Sequence, residues 1–184
     1  QGSVDGMMQG YALVSASIRE RTDKLCGIMD DYRKHGFQMK AIQKWEGKSK
    51  GAKYVYENRY ELYNESMKLI KSKKKNAKAD FVLRWVQVPG LGPVKASFVA
   101  QLMAGWVGCI DVHNIRKYLP DEDPKKGTPS RWQCAGLSLE TQRKKVVDYI
   151  EFCERVGGPK VLWDQWCNAR PLEMPKLIDG DHLS

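Results

Sequence analysis

The sequence predicts an all-α protein with about eight helices. Apolar residues recur at helical spacing along most of the chain, and no segment shows the strict alternation of apolar and polar residues that is typical of a half-buried strand. Turns rich in glycine, proline or lysine separate these periodic segments. The chain has 184 residues, of which 42% are hydrophobic, so it is long enough to bury one substantial core.

The predicted helices follow one another with short connections. Gly36 suits the C-terminal end of the first helix, because glycine adopts the backbone conformation that terminates a helix at low cost. A lysine-rich turn at 71–76 and a loop at 121–129 are the most polar connections. The predicted elements are helices over about 9–34, 38–50, 52–71 and 77–87, a helix of about four turns from Pro93, and helices over 112–119, 139–156 and 161–168.

Charge and cysteine content narrow the class of protein. Lysine and arginine total 31 against 22 acidic residues, and this net charge of +9 favours a polyanionic partner, with a merely solubilising basic surface as the alternative. The five cysteines are odd in number and contain no CxxC pair, so we expect reduced thiols in an intracellular protein and no metal site. No run of 18 apolar residues occurs, so no membrane contact is expected, and we expect a monomer.

The stretch VPGLGP at 88–93 predicts a tight hairpin before a helix. Gly90 and Gly92 allow positive φ and a close approach of another backbone, and Pro93 suits the first helical position. Backbone N–H groups at such a helix N-terminus have no intrahelical acceptor, so they form a ready anion site. In a basic protein we expect this anion to be a DNA phosphate.

Asp111 lies 19 residues after Gly92 and comes close to the hairpin if the chain folds back after the helix. Asp111 also precedes a predicted helix, with Asn114 in its first turn, so it can serve simply as the N-cap. A carboxylate close to an anchored phosphate also suggests chemistry on a nucleotide. This role is compatible with capping, because a helix N-terminus keeps a carboxylate ionised.

These features resemble the helix-hairpin-helix DNA glycosylase superfamily. The match rests on VPGLG at 88–92 with Ala96, on IDVH at 110–113, and on YALVSAS at 11–17; VLWD at 161–164 resembles the family's closing helix more weakly. The resemblance implies one glycosylase-like domain over 1–184. It has two helical lobes, the hairpin lobe over about 40–120 and a second lobe from about 9–37 and 121–175. The active site would lie in the cleft between them, with Asp111 as the catalytic carboxylate.

The resemblance also assigns the DNA contacts. Ser17 stands where family members insert a side chain into the duplex, and Arg19 or Arg21 could reach in instead. The lysine-rich turn is either a solvated connection or a phosphate contact. No organic cofactor is required, although family hairpin carbonyls often hold a monovalent cation. The DNA-binding residues implied are Val88, Gly90, Gly92, Val94, Lys95, Ser17, Arg19, Lys73, Lys74 and Lys75.

Three departures from the family pattern shape the predicted chemistry. Bifunctional members carry a lysine two residues after the second hairpin glycine, where this chain has Val94. Lys95 comes one residue later, which turns its side chain by about 100°, so we expect it to point toward the phosphate backbone. Ser17 is shorter than the glutamine or asparagine common at its position, and the cysteine spacing does not fit an iron–sulfur cluster.

The sequence therefore favours a monofunctional DNA glycosylase. It would flip a damaged or modified base out of duplex DNA and hydrolyse the N-glycosidic bond with assistance from Asp111. One alternative is a base-flipping transferase that adds an amino acid or amine to the 5-methyl position of thymine. Another is a non-catalytic DNA-binding protein.

The aromatic residues between 45 and 63 are mostly core candidates, although one or two could stack on a base: Trp45, Tyr54, Tyr56, Tyr60 and Tyr63.

Overall fold

A computed structural model describes residues 3–18, 24–123 and 130–169, and every regular element in these ranges is helical. Short 3-10 turns cover Gly36–Gln38 and Pro120–Glu122. The all-α prediction is therefore confirmed. The α-helices are α1 Val4–Ala16, α2 Leu25–His35, α3 Lys40–Gln43, α4 Glu46–Glu57, α5 Arg59–Ile70, α6 Ala77–Val86, α7 Pro93–Ala104, α8 Val112–Tyr118, α9 Leu139–Arg155 and α10 Gly158–Ala169.

Two predicted helices are in fact broken, which raises the count of described helices from eight to ten. The segment predicted as one helix over 9–34 stops at α1 and resumes at α2. Ser17 caps the end of α1, where its hydroxyl donates to the Val14 carbonyl at 2.7 Å. The segment over 52–71 divides at Asn58, whose amide donates to the Tyr54 carbonyl at 2.8 Å. In both cases a short polar side chain competes with the backbone ladder.

The helix predicted over 38–50 is helical separately only at α3 Lys40–Gln43, because α4 begins at Glu46 and continues through the predicted break at residue 51. From α6 onward the helices lie close to their predicted positions. Gly36 ends α2 with a φ of 56°, as expected of a terminating glycine. Pro93 is the first residue of α7, and Gly105 ends that helix in the left-handed conformation. Residues 124–129, most of the predicted acidic loop, lie outside the described ranges.

Helices α1 and α7 form the centre of the molecule. Both are apolar around most of their circumference, which is typical of helices enclosed by others. Helix α1 packs on α7, and α6 packs on both α7 and α9. One continuous hydrophobic cluster joins these helices, and burial of each large side chain contributes about 1.5–3 kcal/mol. Its largest fully buried members include Tyr11, Phe81, Trp85, Trp132 and Tyr149.

This cluster contains residues from both expected lobes, and the division into two lobes stays a prediction. Among the described helices, none has the length and apolar character needed to span a membrane. Three of the aromatic residues considered for the core are instead exposed, namely Trp45, Tyr56 and Tyr60.

Candidate active site

The hairpin between α6 and α7 is tightly packed. The Val88 N–H donates to the Trp85 carbonyl and the Leu91 N–H donates to the Val88 carbonyl, both at 3.1 Å. Gly90 has a φ of 82°, and a Cβ at this position would lie 2.7 Å from the carbonyl oxygen of Gly47 in α4. Any side chain at Gly90 would therefore be strained and would collide with backbone.

Gly92 differs from its predicted role. Its φ of −100° is accessible to any residue, and a Cβ there would meet no atom within 4 Å. The prediction of positive φ is confirmed for Gly90 and wrong for Gly92. Gly92 is the N-cap of α7, and its carbonyl accepts from the N–H groups of Lys95 and Ala96. The open space in front of Gly92 is where an anion would approach the helix N-terminus.

The other hairpin residues contribute backbone rather than side chains. The N–H groups of Gly92 and Val94 find no backbone acceptor within the described ranges, as expected at a helix N-terminus. Val88 is 1% exposed, so its side chain belongs to the core, and Val94 packs partly against the same core. A DNA contact at Val88 would therefore involve its main chain.

The hairpin carbonyls provide a test of the monovalent cation that the resemblance implies. The Val88 carbonyl already accepts from Leu91, and the Pro89 carbonyl lies against Gly51 of α4, where an added Cβ would be 2.3 Å from its oxygen. Both oxygens thus already have protein neighbours and would offer a cation only their remaining lone pairs, so the cation stays an expectation from the resemblance.

Asp111 is the N-cap of α8, as its position before that helix predicts. Its Oδ1 accepts three hydrogen bonds of 3.0 Å, from the N–H groups of His113 and Asn114 and from the Asn114 side-chain amide. Oδ2 has no hydrogen bond to any described residue. One carboxylate oxygen is thus committed to the helix, and the other has no hydrogen-bond partner among the described residues.

The segment that precedes Asp111 is held from two sides. Gln101 of α7 accepts from the Cys109 N–H at 3.0 Å and donates to the Pro159 carbonyl at 3.3 Å. The buried Tyr149 hydroxyl of α9 donates to the Gly108 carbonyl and accepts from the Ile110 N–H, both at 2.8 Å. These bonds place Asp111 without contacting it, and the sequence pattern did not identify either residue.

Asn114 links Asp111 to α10. Its buried amide donates to Asp111 Oδ1, to the Cys109 carbonyl at 3.3 Å and to the Leu162 carbonyl at 3.4 Å. Gly108 allows α10 to pack this closely, because a Cβ there would lie 2.4 Å from a Leu162 methyl group. The carboxylate is therefore fixed relative to the helix that covers it.

A small pocket of about 30 Å³ lies beside Asp111. Phe98 and Trp163, whose ring centroids are 6.3 Å apart, line it together with Cys109. Burial raises the pKa of the Cys109 thiol to about 11; the positive charge of Lys95 opposes this rise, and the negative charge of Asp111 adds to it. Lys95 and Asp111 therefore both lie close enough to influence Cys109 in the pocket wall.

Lys95 contacts another residue that the resemblance assigns to the DNA interface. Its amine donates to the Ser17 hydroxyl at 2.9 Å and lies 5.7 Å from the centroid of the Phe98 ring. The amine thus lies at the C-terminal end of α1, and its contact with a DNA phosphate stays a prediction. The structure thereby brings together two sequence-predicted residues, Ser17 and Lys95, near the pocket that contains Asp111.

Lys48 is a basic residue that sequence reasoning missed. It is only 4% exposed, and its amine lies 3.4 Å from the Ala16 carbonyl and 3.3 Å from the Ala41 carbonyl. Carbonyls at helix ends carry partial negative charge, so they stabilise a buried ammonium. No local pattern distinguishes Lys48 from the exposed lysines around it.

The lysine turn, residues 72–76, lies at the other end of α6 from the hairpin. Ten residues of helix separate the two, a distance of about 15 Å. Lys73, Lys74 and Lys75 are exposed and line an open cavity of about 380 Å³ against α9. The turn and the hairpin are thus not one contiguous surface.

Arg19, the remaining predicted DNA contact, lies outside the described residues together with Arg21.

No protein-family model, no curated protein and no solved structure matches this chain.

Proposed function

We propose that this protein binds duplex DNA, flips one nucleotide out of the stack and hydrolyses its N-glycosidic bond with assistance from Asp111. The observation that carries the proposal is the difference between the two oxygens of that carboxylate. Oδ1 is held by three hydrogen bonds at the start of α8, while Oδ2 has no partner among the described residues and the side chain lines a pocket. A fixed carboxylate with one unused oxygen is suited to catalysis.

The chemistry follows from the charge that develops in such a reaction. As the bond to the base breaks, the sugar acquires oxocarbenium character, and a nearby carboxylate stabilises that positive charge. The same oxygen can orient water toward the anomeric carbon and accept its proton. The helix N-terminus behind Asp111 favours its negative charge and keeps it aimed at the pocket.

The pocket must enlarge before it receives a base. Its volume of about 30 Å³ accommodates one water molecule, and a purine or pyrimidine ring is far larger. Phe98 belongs to the central helix α7, whereas Trp163 belongs to the peripheral α10. This helix begins at Gly158, and both Gly157 and Gly158 have positive φ. We therefore expect movement of Trp163 to open the site and its ring to stack on the flipped base.

The test is an assay of the protein with duplexes that carry a panel of modified bases. Mass spectrometry would measure both the free base and the intact modified nucleoside. Release of free base supports the glycosylase. A gain of mass on the nucleoside would indicate a thymine-modifying transferase, and binding with neither product would indicate a DNA-binding module.

Asp111→Asn separates catalysis from capping, because asparagine caps a helix about as well as aspartate. We expect near-complete loss of base release with DNA binding retained or tightened, since the substitution removes repulsion between carboxylate and phosphate. Ser138→Ala is the matched control. It removes the N-cap of α9, where Ser138 accepts from the Thr141 N–H at 3.3 Å, and should leave turnover intact. Wild-type turnover by a folded Asp111→Asn variant would exclude Asp111 as the catalytic group.

A further inference from the structure

A third cavity, of about 560 Å³, lies between the C-terminal end of α2 and the outer face of α4. Its volume is in the range of pockets that bind small molecules. None of its described lining residues lines the pocket at Asp111. The cavity is therefore a separate feature that the proposed reaction does not use.

Aromatic rings form much of the cavity wall. Phe37 is held by Tyr32, with ring centroids 5.4 Å apart, and by Tyr11 at 5.8 Å. Tyr56 also lines the cavity and is 53% exposed. The Arg59 guanidinium lies 4.5 Å from the Tyr56 ring centroid and also donates to the Tyr56 carbonyl. An exposed ring supported in this way is a stacking surface rather than a core residue.

The polar groups of the cavity suit a planar ligand with both donors and acceptors. Gln38 is exposed at the cavity, and a side-chain amide offers two N–H donors and one carbonyl acceptor. The Gln43 amide is held in place, since it donates to the Phe37 carbonyl at 2.8 Å and accepts from the Ser49 hydroxyl at 3.1 Å. Such groups complement the edge of a nucleobase, and they do not suit an acyl chain.

A cation lies at the rim of the same cavity. Lys53 faces Glu57 at 3.9 Å, and both side chains are mostly exposed, at 76% and 58%. An ion pair this long and this solvated contributes little energy, so the ammonium can turn to a ligand at low cost. A phosphate attached to a stacked base would provide that ligand.

We propose that this cavity binds a nucleotide, with its base stacked on Tyr56 and its phosphate at Lys53. Such a site goes beyond the proposed reaction at Asp111 and does not depend on it. Two sources offer the same chemistry: a free nucleotide in solution, or an unpaired nucleotide within a DNA strand. Base stacking on an aromatic ring tolerates all four bases, so selectivity among them would come from the amide groups.

Calorimetric titration with the four deoxynucleoside monophosphates tests the proposal, and Tyr60 provides a matched control for Tyr56. Both tyrosines are exposed, and Arg59 lies 4.7 Å from the Tyr60 ring, but only Tyr56 lines the cavity. Tyr56→Ala should weaken binding about tenfold or more, the usual effect of removing one base-stacking ring. Tyr56→Phe should retain binding, and Tyr60→Ala should behave as wild type.

Lys53 and Lys50 provide a second matched pair. Lys50 also lies on α4 in an exposed pair, 2.6 Å from Glu46, but it does not line the cavity. Lys53→Gln should weaken binding of the monophosphate and leave binding of the corresponding nucleoside unchanged, whereas Lys50→Gln should affect neither. Equal effects of the two lysine variants would overturn the assignment of the phosphate to Lys53.

Competition identifies the source of the nucleotide. Displacement of a bound monophosphate by a single-stranded oligonucleotide, or by a duplex with one unpaired base, would assign the cavity to DNA; failure of both to displace it would assign it to a free nucleotide. Absence of saturable binding by every probe, or equal loss in Tyr56→Ala and Tyr60→Ala, would overturn the proposal. Asp111→Asn should leave this binding intact, so the two proposals can fail separately.

Discussion

Helix α6 joins two regions that the sequence offers as DNA contacts and that differ sharply in the fold. At its C-terminal end the hairpin is packed, since Val88 and Leu91 are buried and Gly90 lies against Gly47. At its N-terminal end the lysine turn is exposed. On the proposed function, the hairpin would position a phosphate, whereas the turn would only attract one.

This difference predicts two kinds of mutational response. Substitutions at the hairpin should act through steric fit and the placement of backbone N–H groups. Even a single substitution there should have a large effect on binding or stability. Changes at the lysine turn should act through charge, in amounts that depend on salt.

Gly92→Asp should produce the largest effect on binding. The space in front of Gly92 is open and its φ suits any residue, so the variant should fold, but its carboxylate would occupy the anion site. We expect duplex affinity to fall about a hundredfold, which corresponds to about 2.7 kcal/mol. Fluorescence anisotropy at constant salt would measure this. Gly92→Ala, which adds only a methyl group, should lose much less; unchanged affinity of folded Gly92→Asp would exclude the hairpin from the interface.

Gly90→Ala should instead reduce stability. A φ of 82° is unfavourable for alanine, and its Cβ would press on the Gly47 carbonyl at 2.7 Å. Strain of this kind typically costs about 1–3 kcal/mol. Urea denaturation would show a lower midpoint. Gly27→Ala, inside α2 with no neighbour within 4 Å of its added Cβ, should raise the midpoint. Equal midpoints for Gly90→Ala and wild type would mean that the hairpin relaxes freely.

Alkaline pH should loosen the anchors behind Asp111. Burial raises the pKa of the Cys153 thiol, which donates to the Gly108 carbonyl, from about 9 to about 12. The unfolded thiol ionises first, so its contribution to stability is complete below pH 9 and is lost as pH rises toward 12. The loss is at most about 1.4 kcal/mol per pH unit. Denaturation between pH 8 and 11 should show a shallower decline for Cys153→Ala than for Cys26→Ala. Parallel declines would contradict this assignment.

The lysine turn should contribute a smaller, salt-dependent part of the affinity. Replacing Lys73, Lys74 and Lys75 together with alanine should weaken duplex binding about three- to tenfold at moderate salt. It should also reduce the slope of log affinity against log salt by about 0.9 for each phosphate that is no longer neutralised. Replacement of all three by arginine should restore both quantities. A triple alanine variant with an unchanged salt slope would show that the turn is only a solvated connection.

The parts of this molecule that the sequence predicts are those encoded locally. Helical periodicity identifies most elements, Pro93 marks the start of α7, and the position of Asp111 predicts its capping role. The breaks at Ser17 and Asn58 are missed because apolar spacing continues across them.

The supports of the candidate site could not be predicted in the same way. Gln101 and Tyr149 reach the segment before Asp111 from different helices, and such contacts exist only after packing. Burial of Lys48 likewise depends on where the ends of α1 and α3 lie. The sequence therefore offers candidate groups for ligand chemistry, whereas the groups that hold them become visible only in the fold.

Lys95 combines features of the two regions. It lies on α7 directly after the hairpin, but it carries a basic side chain like those of the lysine turn. A bifunctional glycosylase needs a neutral amine aimed at the anomeric carbon. The Lys95 amine instead donates to the Ser17 hydroxyl at 2.9 Å. We expect Lys95→Ala to weaken duplex binding by about threefold, as removal of one positive charge near a phosphate would, and to leave the single-turnover rate nearly unchanged.

Borohydride trapping decides between the two roles of Lys95. We expect no covalent DNA adduct, and we expect product strands to break only after alkali or heat. Ser17→Ala removes the acceptor that holds the amine and provides the matched control, since trapping in this variant alone would show that the hydrogen bond restrains a competent nucleophile. Efficient trapping by the wild-type protein that disappears in Lys95→Ala would make it a bifunctional glycosylase–lyase, with its lysine one residue beyond the usual position.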